Sequence, residues 1–178
     1  MTGLVLSGLC GSLGAGAAEF KVDPAHSRLT VDVKATGDNF TAVLTNYQAR
    51  IVMDAEATPT EAVFNWDFHH LLTGKAKRDK AMLEWIEDTK FSKASFTMEK
   101  WETREGKAWA LGTMNLHGVK QKLSFPVTVT RKGEEVTLKG SAALNYKDYG
   151  LKIFRMMVVF TVDPSLQVDF ELKGKLTP

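Results

Sequence analysis

Leu111-Gly112-Thr113-Met114-Asn115-Leu116-His117-Gly118-Val119-Lys120-Gln121-Lys122-Leu123-Ser124-Phe125-Pro126-Val127-Thr128-Val129 is the stretch whose reading decides the fold. Gly112, Met114 and Leu116 share one face of its first arm, with Thr113, Asn115 and His117 on the other. In the second arm Leu123, Phe125, Val127 and Val129 oppose Lys122, Ser124, Thr128 and Thr130. Successive side chains of a strand point to opposite faces, so a period of two in both arms means two half-buried strands. The segment from His117 to Gln121 reads as the connector of a β-hairpin, with Gly118 free to take the positive φ of a tight reversal. Pro126 has no N–H to donate, which predicts an edge or a local loss of pairing there.

The same period extends outward in both directions. Upstream, Leu29, Val31 and Val33 alternate with Thr30, Asp32 and Lys34. A longer alternation sets Val43, Thr45, Tyr47, Ala49, Ile51 and Met53 against Asn46, Gln48, Arg50 and Asp54. Phe64, Trp66 and Phe68 then oppose Asn65, Asp67 and His69. Further strands read at residues 95–102 and 107–116. Downstream, Val136, Leu138, Gly140, Ala142 and Leu144 share a face. Residues 153–162 form an almost continuous apolar run that Asp163-Pro164 is expected to stop, before Leu166, Val168, Phe170 and Leu172 make the last strand. Only residues 75–87 depart from this rhythm. There Met82, Leu83, Trp85 and Ile86 fall at helical spacing, which predicts a short helix or two. About eight strands in one antiparallel series, nearly all with one apolar face, predict an all-β chain. The expected fold is an eight-stranded antiparallel β-barrel with one short helical insertion. Eight strands close around a space that side chains fill or one small ligand occupies.

With 178 residues, 44% of them hydrophobic and 25% charged, the chain suits one globular domain. A formal charge of +2, from 23 basic and 21 acidic side chains, excludes an electrostatic case for nucleic acid. Residues 1–18 carry no charge and end in Ala15-Gly16-Ala17-Ala18, small residues suited to signal-peptidase cleavage. They read as a signal peptide, which leaves residues 19–178 as the mature domain in the periplasm or outside the cell. The apolar stretch is too short to span a membrane. Cys10 is the sole cysteine and falls in this leader, so the domain has no disulfide and no thiolate chemistry.

Catalytic and metal patterns are absent from the sequence. His69 and His70 are adjacent, so on a strand they point apart, and His26 and His117 sit at turns. No G-x-S-x-G elbow and no glycine-rich phosphate cradle occurs. Asp23, Asp79 and Asp148 read best as turn caps or ion-pair partners, Arg78 with an acid being one such pair. His26 is expected to lock the opening turn by a hydrogen bond. The aromatic face of Phe64, Trp66 and Phe68, with Met98, Met114 and Leu144, is the candidate lining of a barrel interior. Burial gains about 0.8 kcal/mol per methylene, against roughly 4–15 kcal/mol for association. A tail of about fifteen carbons could stay bound on that arithmetic, and a short one could not.

Four segments in order resemble one family. Val22-Asp23-Pro24-Ala25-His26-Ser27 resembles the opening of the YceI-like proteins. Thr73-Gly74, with Arg78-Asp79 and Leu83, is similar to their segment before the helical insertion. Gly112-Thr113-Met114-Asn115-Leu116-His117-Gly118-Val119 is close to the G-x-L-T-x-x-G-V hairpin. Tyr146-Lys147-Asp148-Tyr149-Gly150 is similar to the R-x-D-F-G loop, with tyrosines where that pattern has arginine and phenylalanine. The resemblance implies a lipocalin-like extended barrel, exported, that encloses a polyisoprenoid, an isoprenoid quinone or a long-chain fatty lipid. It marks Asp23, His26, Arg78, Asp79 and Asp148 as its polar positions. On this reading the protein carries or sequesters lipid, needs no cofactor and is not an enzyme. Its partner is the long apolar ligand, and a transient membrane contact or a homodimer stays open. An enzyme acting on such a lipid would need a polar cluster deep in the barrel, and a scaffold protein would have a filled core.

Overall fold

The computed structural model describes residues 17–157 and 159–177, so the expected leader lies almost wholly outside the described residues. Its strands begin with β1 (Ala18–Val22), β2 (Arg28–Ala35), β3 (Phe40–Leu44), β4 (Tyr47–Met53), β5 (Pro59–Asp67) and β6 (Leu71–Leu72). After α1 (Ala76–Trp85) and α2 (Asp88–Phe91) come β7 (Lys93–Arg104), β8 (Lys107–Leu116) and β9 (Val119–Lys132). The chain ends with β10 (Glu135–Asn145), β11 (Arg155–Met156) and β12 (Phe160–Thr177). The order β1-β4-β5-β7-β8-β9-β10-β12 is closed by β12 returning to β1, from Glu19↔Thr177 to Val22↔Gly174. This is an eight-stranded antiparallel barrel. Closure removes the unpaired edges that an open sheet would expose.

Three staves are broken. The early strands β2, β3 and β6 continue the ring beside the first half of β12, while β1, β4 and β5 line up below them. Between β1 and β2, Pro24–His26 form a 3₁₀ turn. Asp23 Oδ1 accepts from the Ala25 N–H at 3.0 Å, and its Oδ2 lies 2.7 Å from His26 Nδ1. Ser27 Oγ accepts from the Lys173 N–H at 2.9 Å and ties the turn to β12.

The structure corrects several expectations. The alternation from Val43 to Met53 is two strands, because an interruption at Thr45 and Asn46 switches the inward set. Ala42 and Leu44 face the core from β3, whereas Ile51 and Met53 do so from β4, and Val43 lies outside that set. The hairpin connector is only His117-Gly118, since Leu116 pairs directly with Val119. Both residues take positive φ, 51° and 73°, as a type I′ turn demands. Asp163-Pro164 do not end a strand. β12 runs through them on a bulge in which its register advances from Val162 to Leu166 while β2 moves only from Ala35 to Val33. The extra residues give Pro164 a place without a ladder partner, and Asp163 Oδ1 accepts from the Ser165 N–H at 2.8 Å. The apolar run at residues 153–162 is a short turn-back, β11 against the start of β12, rather than a full strand. Leu151, Phe154 and Val162 are buried, whereas Met157 and Val159 are exposed.

Pro126 does mark a loss of pairing, on one side only. It lies opposite Trp109 of β8, but β10 follows β9 only as far as Gly140↔Val127. Beyond that point the 3₁₀ turn Tyr146–Tyr149 covers the gap, with Gln121 Nε2 donating to the Asp148 carbonyl at 2.9 Å. Phe20, Met53 and Val136, each at most 1% exposed, plug the end where β12 meets β1. Helix α1 crosses the other end. Its Trp85 stands edge-on to Tyr146 and Phe154, with ring centroids 4.9 and 5.4 Å apart, and Trp85 Nε1 donates to the Lys152 carbonyl at 2.8 Å.

A candidate ligand cavity

Alternation makes the cavity. Each stave turns every second side chain inward, and the inward set here is almost wholly apolar. Between the plug and α1 these side chains leave a cavity of about 260 Å³. Phe64, Trp66 and Phe68 line it from β5 and the turn after it, as do Met98 from β7, Met114 from β8 and Leu144 from β10. The three aromatics form a ladder, with centroid separations of 5.9 and 6.2 Å. Tyr47 extends it, its ring 4.8 Å from Phe64. Leu166, Val168, Phe170 and Leu172 of β12 line it too, and the wall is completed at the helical end by Met82, Trp85 and Ile86.

The polar positions divide. Asp23 and His26 hold each other on the exposed turn between β1 and β2, away from the cavity. The hydrogen bond to His26 holds the Asp23 carboxyl below its ordinary value, with burial working weakly against it. Asp79 Oδ1 accepts from the Thr73 N–H at 2.8 Å and also from the Thr73 hydroxyl, so it organises the entry to α1. Asp148 is exposed on the turn that covers the β9–β10 gap. Arg78 alone of the five reaches the cavity wall, joined there by Thr73. The expected pairing of Arg78 with an acid does not form, because Asp79 is spent on Thr73. Arg78 Nη2 instead donates to the Thr73 carbonyl at 2.8 Å, and its guanidinium carbon lies 3.6 Å from the Phe40 ring centroid.

His69 and His117 make structural contacts. His69 Nδ1 lies 2.6 Å from Asp67 and its Nε2 3.2 Å from Asp88, which leaves neither nitrogen free for a metal. The hydrogen bond to Asp67 raises the His69 pKa above its ordinary value, with burial opposing it. His117 packs tilted against Phe91, ring centroids 4.3 Å apart, and its Nδ1 lies 3.3 Å from the Tyr149 carbonyl oxygen.

One contributor carried no signal of its role. Tyr146 is 1% exposed and on the cavity wall; its hydroxyl donates to the Val162 carbonyl at 2.9 Å and accepts from the Phe154 N–H at 3.2 Å. It thereby fastens the irregular segment that brings Leu151 and Phe154 to the cavity. Burial pushes its hydroxyl above the ordinary tyrosine value.

A YceI-like domain matches residues 20–174. The chain belongs to the YceI-like family. Solved structures of the same fold agree. BcnA from Burkholderia cenocepacia superposes with a TM-score of 0.77 at 17% identity, covering 87% of this chain and 100% of that one. A polyisoprenoid-binding domain from Saccharophagus degradans gives 0.66 at 16% identity, covering 89% and 98%. The Campylobacter jejuni YCEI protein gives 0.63 at 16% identity, covering both chains fully. No functionally curated protein matches this YceI-like chain.

Proposed function

We propose that this YceI-like protein sequesters or carries a polyisoprenoid, such as an isoprenoid quinone, or another long-chain lipid in its barrel, as an exported protein and without catalysis. The observation that carries this reading is the cavity. Apart from Thr73, Arg78 and Tyr146 its wall is built from hydrocarbon, aromatic and thioether side chains. At about 260 Å³ it is larger than an apolar cavity of about 150 Å³ that takes up benzene. Such a space favours a guest whose binding comes from apolar area removed from water. Among the described residues no helix is long and apolar enough to cross a membrane. The Saccharophagus degradans domain of the same fold is described as polyisoprenoid binding, which supports the ligand class.

Two measurements test the proposal. Native mass spectrometry of freshly purified protein, followed by solvent extraction, should show a mass increment that resolves into a prenyl or acyl lipid. Protein that carries no lipid and takes none up from added vesicles would refute the carrier role. N-terminal sequencing of protein from the periplasmic fraction should begin at Ala18 or Glu19, and intact Met1 on cytoplasmic protein would refute export.

A further inference from the structure

Among the described residues the large apolar side chains left exposed are Leu72, Met157 and Val159, and the last two share one turn. Met157 is 82% and Val159 74% exposed, at the tip where β11 turns back into β12. A lone exposed apolar side chain is ordinary, whereas a cluster on a projecting tip marks a contact surface. Below the tip the apolar character continues. Ile153, Met156 and Phe160 are half-buried, and Phe160 stacks on Phe40 with ring centroids 6.4 Å apart. The base is held firmly, because Phe154 and Val162 are buried and the Val162 N–H donates to the Phe154 carbonyl at 3.1 Å. Beside it the Thr36 N–H donates to the Thr161 carbonyl at 2.9 Å, which ties the turn-back to the β2–β3 loop. At the tip Met157 takes a left-handed φ of 57°, uncommon for a residue with a Cβ. The charges nearby are of one sign. Residues 149–162 contain Lys152 and Arg155 and no acid. Both cations are exposed, and neither is in an ion pair among the described residues. The acid of the neighbouring β2–β3 loop, Asp38, is held by Lys75 at 3.8 Å, and Asp163 accepts from the Ser165 N–H at 2.8 Å.

We infer that this tip is a membrane-docking site, and that its partner is an anionic bilayer surface. Met157 and Val159 enter the boundary between headgroups and acyl chains, while Lys152 and Arg155 meet the lipid phosphates. A stable protein interface takes about 800 Å² from each partner, more than a narrow tip supplies. A bilayer needs only apolar side chains to insert and cations to hold them there. The inference rests on the lipid-carrier reading for its purpose. Leu151, Phe154 and Val162 of the same segment line the cavity from inside, and Trp85 of α1 packs on Phe154. Docking by the tip therefore brings the α1 end of the cavity to the bilayer, so that lipid enters without crossing open water.

Co-flotation with vesicles of equimolar phosphatidylethanolamine and phosphatidylglycerol tests this, with phosphatidylcholine vesicles as the neutral comparison. The parent should float with the anionic vesicles and bind them about tenfold tighter than the neutral ones. Met157→Asn combined with Val159→Ser should weaken anionic binding about tenfold. Asparagine tolerates the left-handed φ, so the melting curve should match the parent's, and Val159→Ser alone takes its place if it does not. Lys152→Gln combined with Arg155→Gln should bring the anionic preference below about twofold. A parent that binds neither vesicle, or variants that bind as the parent does, would overturn docking by this tip and leave the carrier reading standing. Concentration-dependent dimers that the apolar-tip variant loses, without vesicle binding, would overturn it in favour of a second copy of the chain. A parent that floats but takes up no lipid from these vesicles would leave the docking site standing and overturn the carrier reading.

Discussion

Replacing Tyr146 by Phe isolates the clasp that closes one side of the cavity. The ring keeps its volume and its edge-on contact with Trp85, so no cavity opens and only the hydroxyl is lost. That hydroxyl makes two buried hydrogen bonds, to the Val162 carbonyl and from the Phe154 N–H. Both partners are backbone groups in buried residues, so they stay behind unsatisfied. Each such group costs about 1–3 kcal/mol. The Val162 N–H to Phe154 carbonyl bond, 3.1 Å, still holds the two segments together and limits the loss. The expected destabilisation is therefore about 2–4 kcal/mol. For a domain of this size that lowers Tm by roughly 5–15 °C. Guanidinium unfolding followed by tryptophan fluorescence should show a lower midpoint with an unchanged slope, the mark of lost stability rather than altered compactness. Bound lipid should also leave faster, since Leu151 and Phe154 line the cavity from the segment that Tyr146 holds. A loss under about 0.5 kcal/mol would refute the reasoning, because the two backbone groups would then be satisfied without Tyr146.

Trp66→Asp places an unpaired carboxylate on the aromatic ladder at a cost of several kcal/mol, enough to cancel much of a tail's binding energy. Once circular dichroism has shown the variant folded, its extracted lipid should fall well below the parent's, and equal occupancy would rule Trp66 out as a lining residue. Gly118→Val should cost roughly 1–3 kcal/mol in strain. Its φ is +73°, and a Cβ there would lie 3.0 Å from Phe91 Cε1, so a melting curve that matches the parent would contradict the turn geometry. The His69 imidazole should titrate above its ordinary 6.5, and Asp67→Asn should bring it back down in an NMR titration. A raised folded pKa means that the contact stabilises fully below pH 6.5 and is lost as pH rises through the raised value. An unchanged His69 titration in the Asp67→Asn variant would show that Asp67 is not the cause.

Much of the barrel is visible in local pattern because a strand's period of two is a local property. Leu123, Phe125 and Val127, like Leu166, Val168 and Phe170, announce their inward face without reference to any partner, and all six line the cavity. Phe64, Trp66 and Phe68 are legible for the same reason. Where the inward face changes in mid-stave, the pattern misleads. Val43 and Tyr47 are in phase in sequence, but the interruption at Thr45 and Asn46 puts Leu44 rather than Val43 on the inward side. Pro164 is a strand breaker by its own chemistry, yet β12 absorbs it because the bulge supplies two residues beyond what β2 requires.

What the sequence by itself determined is the all-β class, the antiparallel series, the apolar face of most strands and the hairpin at Gly118, since each follows from side-chain alternation and backbone freedom over a few residues. What only the tertiary structure decided is closure and the site. β1 is too short for its alternation to stand out, and its value lies in joining β4 to β12, a pairing across the whole chain. Arg78 and Tyr146 sit 68 positions apart and meet the same cavity only because α1 and the turn-back after β10 are folded against one end of the barrel. Whether a charge is paired, and whether a hydroxyl bridges two strands' backbones, depends on distances between segments remote in sequence, and no local pattern encodes them.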